Sequence, residues 1–142
     1  MEYNFKDIHI GELIHQIVKL KDTDKKRILN FFNDNALDLN EVYCSKNISS
    51  DNLLKWSKLL KYDFFRIYSQ HIMLYANMEP LIPKGDKSKI EIPVFKKSIY
   101  TKEIIDFICE LIKNKHKTKD QIITEYNIPK TTLYRWLKKY NL

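Results

Sequence analysis

The stretch Thr118 to Leu142, T-K-D-Q-I-I-T-E-Y-N-I-P-K-T-T-L-Y-R-W-L-K-K-Y-N-L, decides how this chain is read. Thr118-Lys119-Asp120-Gln121 fits the reciprocal cap in which a hydroxyl and a Gln three residues on satisfy each other's backbone amides. It predicts a helix start at Thr118. Ile122, Ile123 and Tyr126 supply an inward face. Asn127 stands where a sharp turn needs a residue that tolerates positive φ, which Asn does better than any residue except Gly. Ile128 is expected to pack under that turn. Pro129 pre-sets φ for the first turn of the next helix. Leu133, Trp136 and Leu137 recur at i, i+3 and i+4, so they share one apolar face.

That leaves Lys130, Thr131, Thr132, Tyr134, Arg135, Lys138 and Lys139 on the outer face, near its N-terminal end or near the chain end. Two short helices about a tight turn, the second carrying basic and hydroxyl side chains outward, predict a helix-turn-helix. In such a unit the second helix lies in the DNA major groove. Arg can bond guanine bidentately, and Thr can bond base edges or meet a thymine methyl. Lys130 and Lys138 are placed to reach phosphates, and Lys139 to touch at most a phosphate. These seven residues are the candidate DNA-binding set. Arg135 is one of only three arginines in the chain.

The charge is unevenly spread. The net charge is +7 over 142 residues; residues 1–75 carry 11 basic and 10 acidic side chains, residues 76–142 carry 14 and 8. The excess therefore belongs to the half that ends in the helix-turn-helix, as attraction to phosphate requires.

Working outward, residues 101–115 form an amphipathic helix with Ile104, Ile105, Ile108, Leu111 and Ile112 on one face. Residues 77–98 hold three of the four prolines, one of the two glycines and Lys84, Lys87, Lys89, Lys96 and Lys97. They read as a basic linker. Within it, Ile90 to Phe95 alternates enough for a short strand, but Pro93 argues against a central one. Residues 1–76 are expected to be a helical domain. Apolar stripes run through 8–21 (Ile10, Leu13, Ile14, Ile17, Val18) and 24–33 (Ile28, Leu29, Phe31, Phe32). Asn33-Asp34-Asn35 signals a turn before a short helix over about 37–45. Ser49-Ser50-Asp51 offers caps for a helix through Leu53, Leu54, Trp56 and Leu60. Asp63 can cap a last one with Phe64, Phe65, Tyr68, Ile72 and Tyr75 inward. The expected fold is all-α: two small helical domains, 1–76 and 99–142, the second a three-helix helix-turn-helix.

I-Y-T-K-E-I-I-D-F-I (99–108) followed by I-P-K-T-T-L-Y-R-W-L-K-K-Y (128–140) resembles the DNA-binding domain of insertion-sequence transposases. Those domains commonly open with Tyr-Thr/Ser-x-Glu and end in a Ser/Thr-Thr-Leu-Tyr-Arg-Trp helix. The resemblance covers about the last 44 residues and implies binding to double-stranded DNA. Two positions depart from the pattern: Ile123 stands where a small residue is usual, and Pro129-Lys130 replaces the commoner Ser-Arg. More weakly, I-G-E-L-I-H-Q-I-V (10–18) and L-L-K-W-S-K-L-L-K-Y-D-F-F (53–65) resemble the first and last helices of a repressor-type helix-turn-helix domain. The candidate recognition segment there, Asn35 to Ser45, carries Asp38 and Glu41 and no basic residue, so phosphates would repel it. The alternative for this half is a helical scaffold that dimerises or binds a protein partner through its aromatics.

Other chemistry finds little support. Glu103, Asp106 and Glu110 line one helix face, but it is the face expected to be solvated. His9, His15, His71 and His116 lack metal-ligand spacing with one another or with cysteine. Gly11 and Gly85 are too far apart to form a phosphate loop. No catalytic residue, metal or cofactor is expected, and no enzymatic activity; a transposase's α/β catalytic domain finds no room in these residues. Cys44 and Cys109 read as two buried or partly buried thiols of a reducing compartment. No apolar run approaches the ~18 residues of a membrane span. The start, M-E-Y-N-F-K-D, lacks the basic-then-apolar pattern of a signal peptide, so a cytoplasmic location is expected. Three functions stay open. The first is a sequence-specific DNA-binding protein, either a transcription regulator or a DNA-targeting protein of a mobile element. The second is a non-catalytic transposase subunit acting with a separate catalytic protein. The third is a protein-interaction helical module.

Overall fold

The computed structural model describes residues 4–76, 92–93 and 99–142. Among these, all regular structure is α-helical, as expected: α1 (Ile10–Leu20), α2 (Lys25–Phe32), α3 (Leu39–Cys44), α4 (Ser50–Leu60), α5 (Phe65–Tyr75), α6 (Lys102–Lys113), α7 (Lys119–Glu125) and α8 (Lys130–Lys139). No described helix is long and apolar enough to cross a membrane. The expected basic linker, 77–98, and its 90–95 segment lie outside the described residues except for Ile92 and Pro93, both exposed. Two compact units are present, one from Asn4 to Tyr68 and one drawn from Ser69 to Leu142. The division falls inside α5, ahead of the boundary expected after residue 76.

In the N-terminal unit, Ile10, Ile14, Ile28, Leu53, Trp56, Leu59, Leu60 and Phe64 form the core. Fully burying one such side chain is worth about 1.5–3 kcal/mol. Phe32 meets Trp56 with ring centroids 4.8 Å apart. Asn33, at φ 51°, ends α2 in the left-handed region, which accounts for the turn signal there. Ser49 caps α4, and Asp63 accepts from the Arg66 amide at 3.2 Å at the start of α5. Lys21 closes the other end of α4 by donating to the Leu60 carbonyl at 2.5 Å.

The approach of α1 to α3 depends on Gly11. A Cβ there would lie 2.2 Å from the Val42 carbonyl oxygen, 2.5 Å from that of Ser45 and 2.7 Å from that of Tyr43. The Gly11 amide donates to the Ser45 carbonyl at 3.1 Å. His15 stacks on Tyr43 at 4.3 Å.

Three expectations about burial need correction. Phe31 is exposed, because Ile28 and Phe32 turn the apolar side of α2 to the core. On α5, Phe65, Ile72 and Tyr75 are exposed, whereas Gln70 and Leu74 are the buried positions. The inward face of α5 runs through a polar residue that an apolar pattern passes over. Cys44 is exposed at the end of α3, while Cys109 is buried; both thiols are free.

Candidate nucleic-acid interface

The C-terminal unit is built on α6, α7 and α8, with α8 packed on both of the others. Ile104 and Ile108 of α6, Ile122 of α7, Ile128, and Leu133 and Leu137 of α8 are almost wholly inaccessible. Trp136 meets Tyr100 edge-on at 4.9 Å. Tyr126 meets Phe107 at 6.2 Å and Tyr75 at 6.1 Å, so the end of α5 belongs to this unit. Burial raises the pKa of the Tyr126 phenol above its ordinary value. Lys117 pairs with Glu125, and that hydrogen bond raises the lysine's pKa.

The local signals that predicted the turn are met in detail. Thr118 accepts from the Gln121 amide at 3.2 Å, and the Gln121 side chain accepts from the Thr118 amide at 2.8 Å. Asn127 has φ 50°. Ile128 is buried beneath it. Pro129, at φ −57°, opens α8 and supplies no side-chain cap to its first amides. Of the pair Ile122 and Ile123, the first is buried and the second half-buried. Ile123, standing where a small residue would be usual, thus lies at the margin of the core.

This frame presents α8 outward. Leu133, Trp136 and Leu137 face inward, and Lys130, Thr131, Tyr134, Arg135, Lys138 and Lys139 are exposed. Thr132 is half-buried, on the flank and not on the outermost strip. At 3.6 residues per turn, Thr131, Arg135 and Lys138 lie at the centre of the outer face. Lys130 and Tyr134 form one edge, Thr132 and Lys139 the other. Lys138 and Lys139 also sit in the last turn, where positive charge complements the helix dipole.

One neighbour of this face escapes a reading along the chain. Lys119, the first residue of α7, brings its ammonium to 5.4 Å from the centre of the Tyr134 ring. Lys130 approaches the same ring at 5.7 Å. Nothing near Lys119 in the sequence signals this, because the meeting depends on how α7 lies beside α8.

The carboxylates of α6 are differently engaged. Glu103 and Glu110 are exposed and Asp106 half-buried. Tyr140 bonds Asp106, and that hydrogen bond raises the phenol's pKa. Among the described residues no group of three or more His, Cys, Asp or Glu side chains could hold a metal ion. In the N-terminal unit, Asp38 accepts from the amides of Asn40 at 2.9 Å and Glu41 at 3.4 Å, so its carboxylate caps α3.

No protein-family model, curated protein or solved structure matches the chain.

Proposed function

We propose that the protein binds double-stranded DNA sequence-specifically through a C-terminal helix-turn-helix, acting in the cytoplasm as a transcription regulator or as a DNA-targeting protein of a mobile element. The supporting observation is the division of α8 into a core side, Leu133, Trp136 and Leu137, and an exposed side centred on Thr131, Arg135 and Lys138. A helix so divided can enter the wide major groove of B-form DNA with its basic side against base edges. Affinity comes from the lysines and selectivity from Arg135 and Thr131. The protein needs no cofactor for this and is not itself an enzyme. The N-terminal unit serves as an assembly scaffold, through homodimerisation or a protein partner. The exposed Phe31 and Leu54 suit that role.

The test is selection of preferred sites from random duplexes with the full chain, followed by affinity measured against salt. Recovery of a consensus site whose binding weakens steeply with salt is expected. No enrichment and no binding at low salt would refute the proposal and favour a protein-interaction module. The resemblance to transposase domains supports a second reading, a non-catalytic subunit working with a separate catalytic transposase. An adjacent catalytic reading frame would favour it.

A further inference from the structure

We propose that Lys119, Lys130 and Tyr134 form a phosphate-holding edge, in which Tyr134 positions the two lysines on the DNA backbone and does not read bases. This rests on the duplex-binding reading above and assigns a part of the surface that the reading leaves undivided.

Two ammonium groups from different helices converge on one aromatic ring, at 5.4 and 5.7 Å from its centre. Like charges repel, so their gathering needs an attraction. The ring's negative face supplies one. Among the described residues, neither lysine forms a salt bridge with a carboxylate. Their charge is therefore left for an outside anion. Tyr134 is 44% exposed, so the ring that gathers them is itself at the surface.

The place of the cluster decides which anion. Lys130 and Tyr134 are four residues apart, on one row of α8, beside the central strip of Thr131, Arg135 and Lys138. A helix lying in a groove turns its centre to the floor, where base edges are, and its flanks to the walls, where the phosphates are. Lys119 extends the same flank onto α7. Contacts made there fix register and orientation and carry no sequence information directly. The phosphodiester backbone of a duplex fits this edge. The aromatic ring keeps both lysines pre-positioned.

The experiment measures full-chain affinity across a salt series, on a selected duplex and on a scrambled one. It compares wild type with Lys119→Gln, Lys119→Gln/Lys130→Gln, Tyr134→Phe and Tyr134→Ala. Lys119→Gln should lower the slope of log affinity against log salt by about 0.9, equally on both duplexes, and the double variant should lower it by about twice that. Tyr134→Phe keeps the ring and should stay within about two-fold of wild type, whereas Tyr134→Ala should lose about two- to five-fold on both duplexes. A wild-type slope for Lys119→Gln, with wild type still binding, would overturn the edge and leave the duplex reading standing. A Tyr134→Ala loss confined to the selected duplex would make Tyr134 a base reader and overturn its role here. No salt-dependent binding by wild type would remove the reading itself, and this assignment with it.

Discussion

The buried side chain of Gln70 holds the N-terminus of α6 through Thr101. Its carbonyl oxygen accepts from the Thr101 amide at 3.3 Å and hydroxyl at 3.4 Å. The same hydroxyl accepts from the Ile104 amide at 3.4 Å, capping the helix. The Gln70 amide donates to the Ile99 carbonyl at 3.0 Å. One residue of α5 thus satisfies backbone groups on both sides of Tyr100 and orients a cap. Gln70→Ala should destabilise the C-terminal unit by about 1–3 kcal/mol, since it leaves buried polar groups without partners. Native-state amide exchange should show the loss at Ile104 and its neighbours in α6. Unchanged protection there would mean that the α6 cap stands without Gln70.

Asn127→Val should destabilise the same unit by about 1–3 kcal/mol, because a β-branched residue resists the left-handed conformation of the turn. The observed φ of 50° is the reason. Asn127→Gly should cost far less, and the contrast in melting temperature between the two variants isolates the backbone effect. Equal melting temperatures would sink it.

Gly11→Ala acts on the other unit. The added methyl meets backbone carbonyls of α3, which cannot swing aside as a side chain can. The cost should be about 1–3 kcal/mol, at the upper end of that range or beyond. Amides of α1 should lose exchange protection while those of α6 and α8 keep theirs. Full protection in α1 would show that α3 can be displaced at little cost.

Local chemistry made most of this legible in the sequence. The Thr118–Gln121 cap, the Asn127 turn and the spacing of Leu133, Trp136 and Leu137 are short-range matters, and the structure has them where the residues predict. The misses are long-range. Gln70 is inward because a backbone segment twenty-nine residues away from it, at Ile99, needs its amide. Lys119 joins the α8 surface because α7 and α8 fold side by side. Gly11 lies inside the helix expected over 8–21, and nothing local signals the carbonyls of Val42, Tyr43 and Ser45 that come against it. Asp38 counts as a charge in the sequence and as a cap in the fold.

The two thiols should separate cleanly. Cys44 is exposed and should react with a thiol reagent at once. Cys109 is buried, and burial, helped by the charge of Asp106, raises its pKa above that of an ordinary thiol, so little thiolate forms near neutrality. Its labelling should wait on opening of the C-terminal unit. The folded state keeps this proton where the unfolded chain has lost it. Its contribution to stability is therefore full below the unfolded thiol's pKa and fades as pH rises through the folded one. Labelling of Cys109 should accelerate in that alkaline range. Two thiols reacting equally fast at neutral pH would contradict the burial.

Arg135→Ala and Lys139→Ala should differ in kind. Arg135 lies on the central strip of α8, one residue before the inward Trp136, and its fork can hold both acceptors of a guanine edge. A bidentate contact of that sort carries about 1–3 kcal/mol of discrimination against the wrong base. Its loss should lower affinity for a selected site more than for a scrambled duplex. Lys139 stands on the far flank, in the last turn, where a flexible ammonium can touch at most a phosphate. Its loss should fall evenly on both duplexes and lower the salt slope by about one. The measurement is the affinity of each variant for both duplexes at two salt concentrations. Equal losses on both duplexes for Arg135→Ala would reduce it to a phosphate contact and shift base readout to Thr131, its neighbour on the strip.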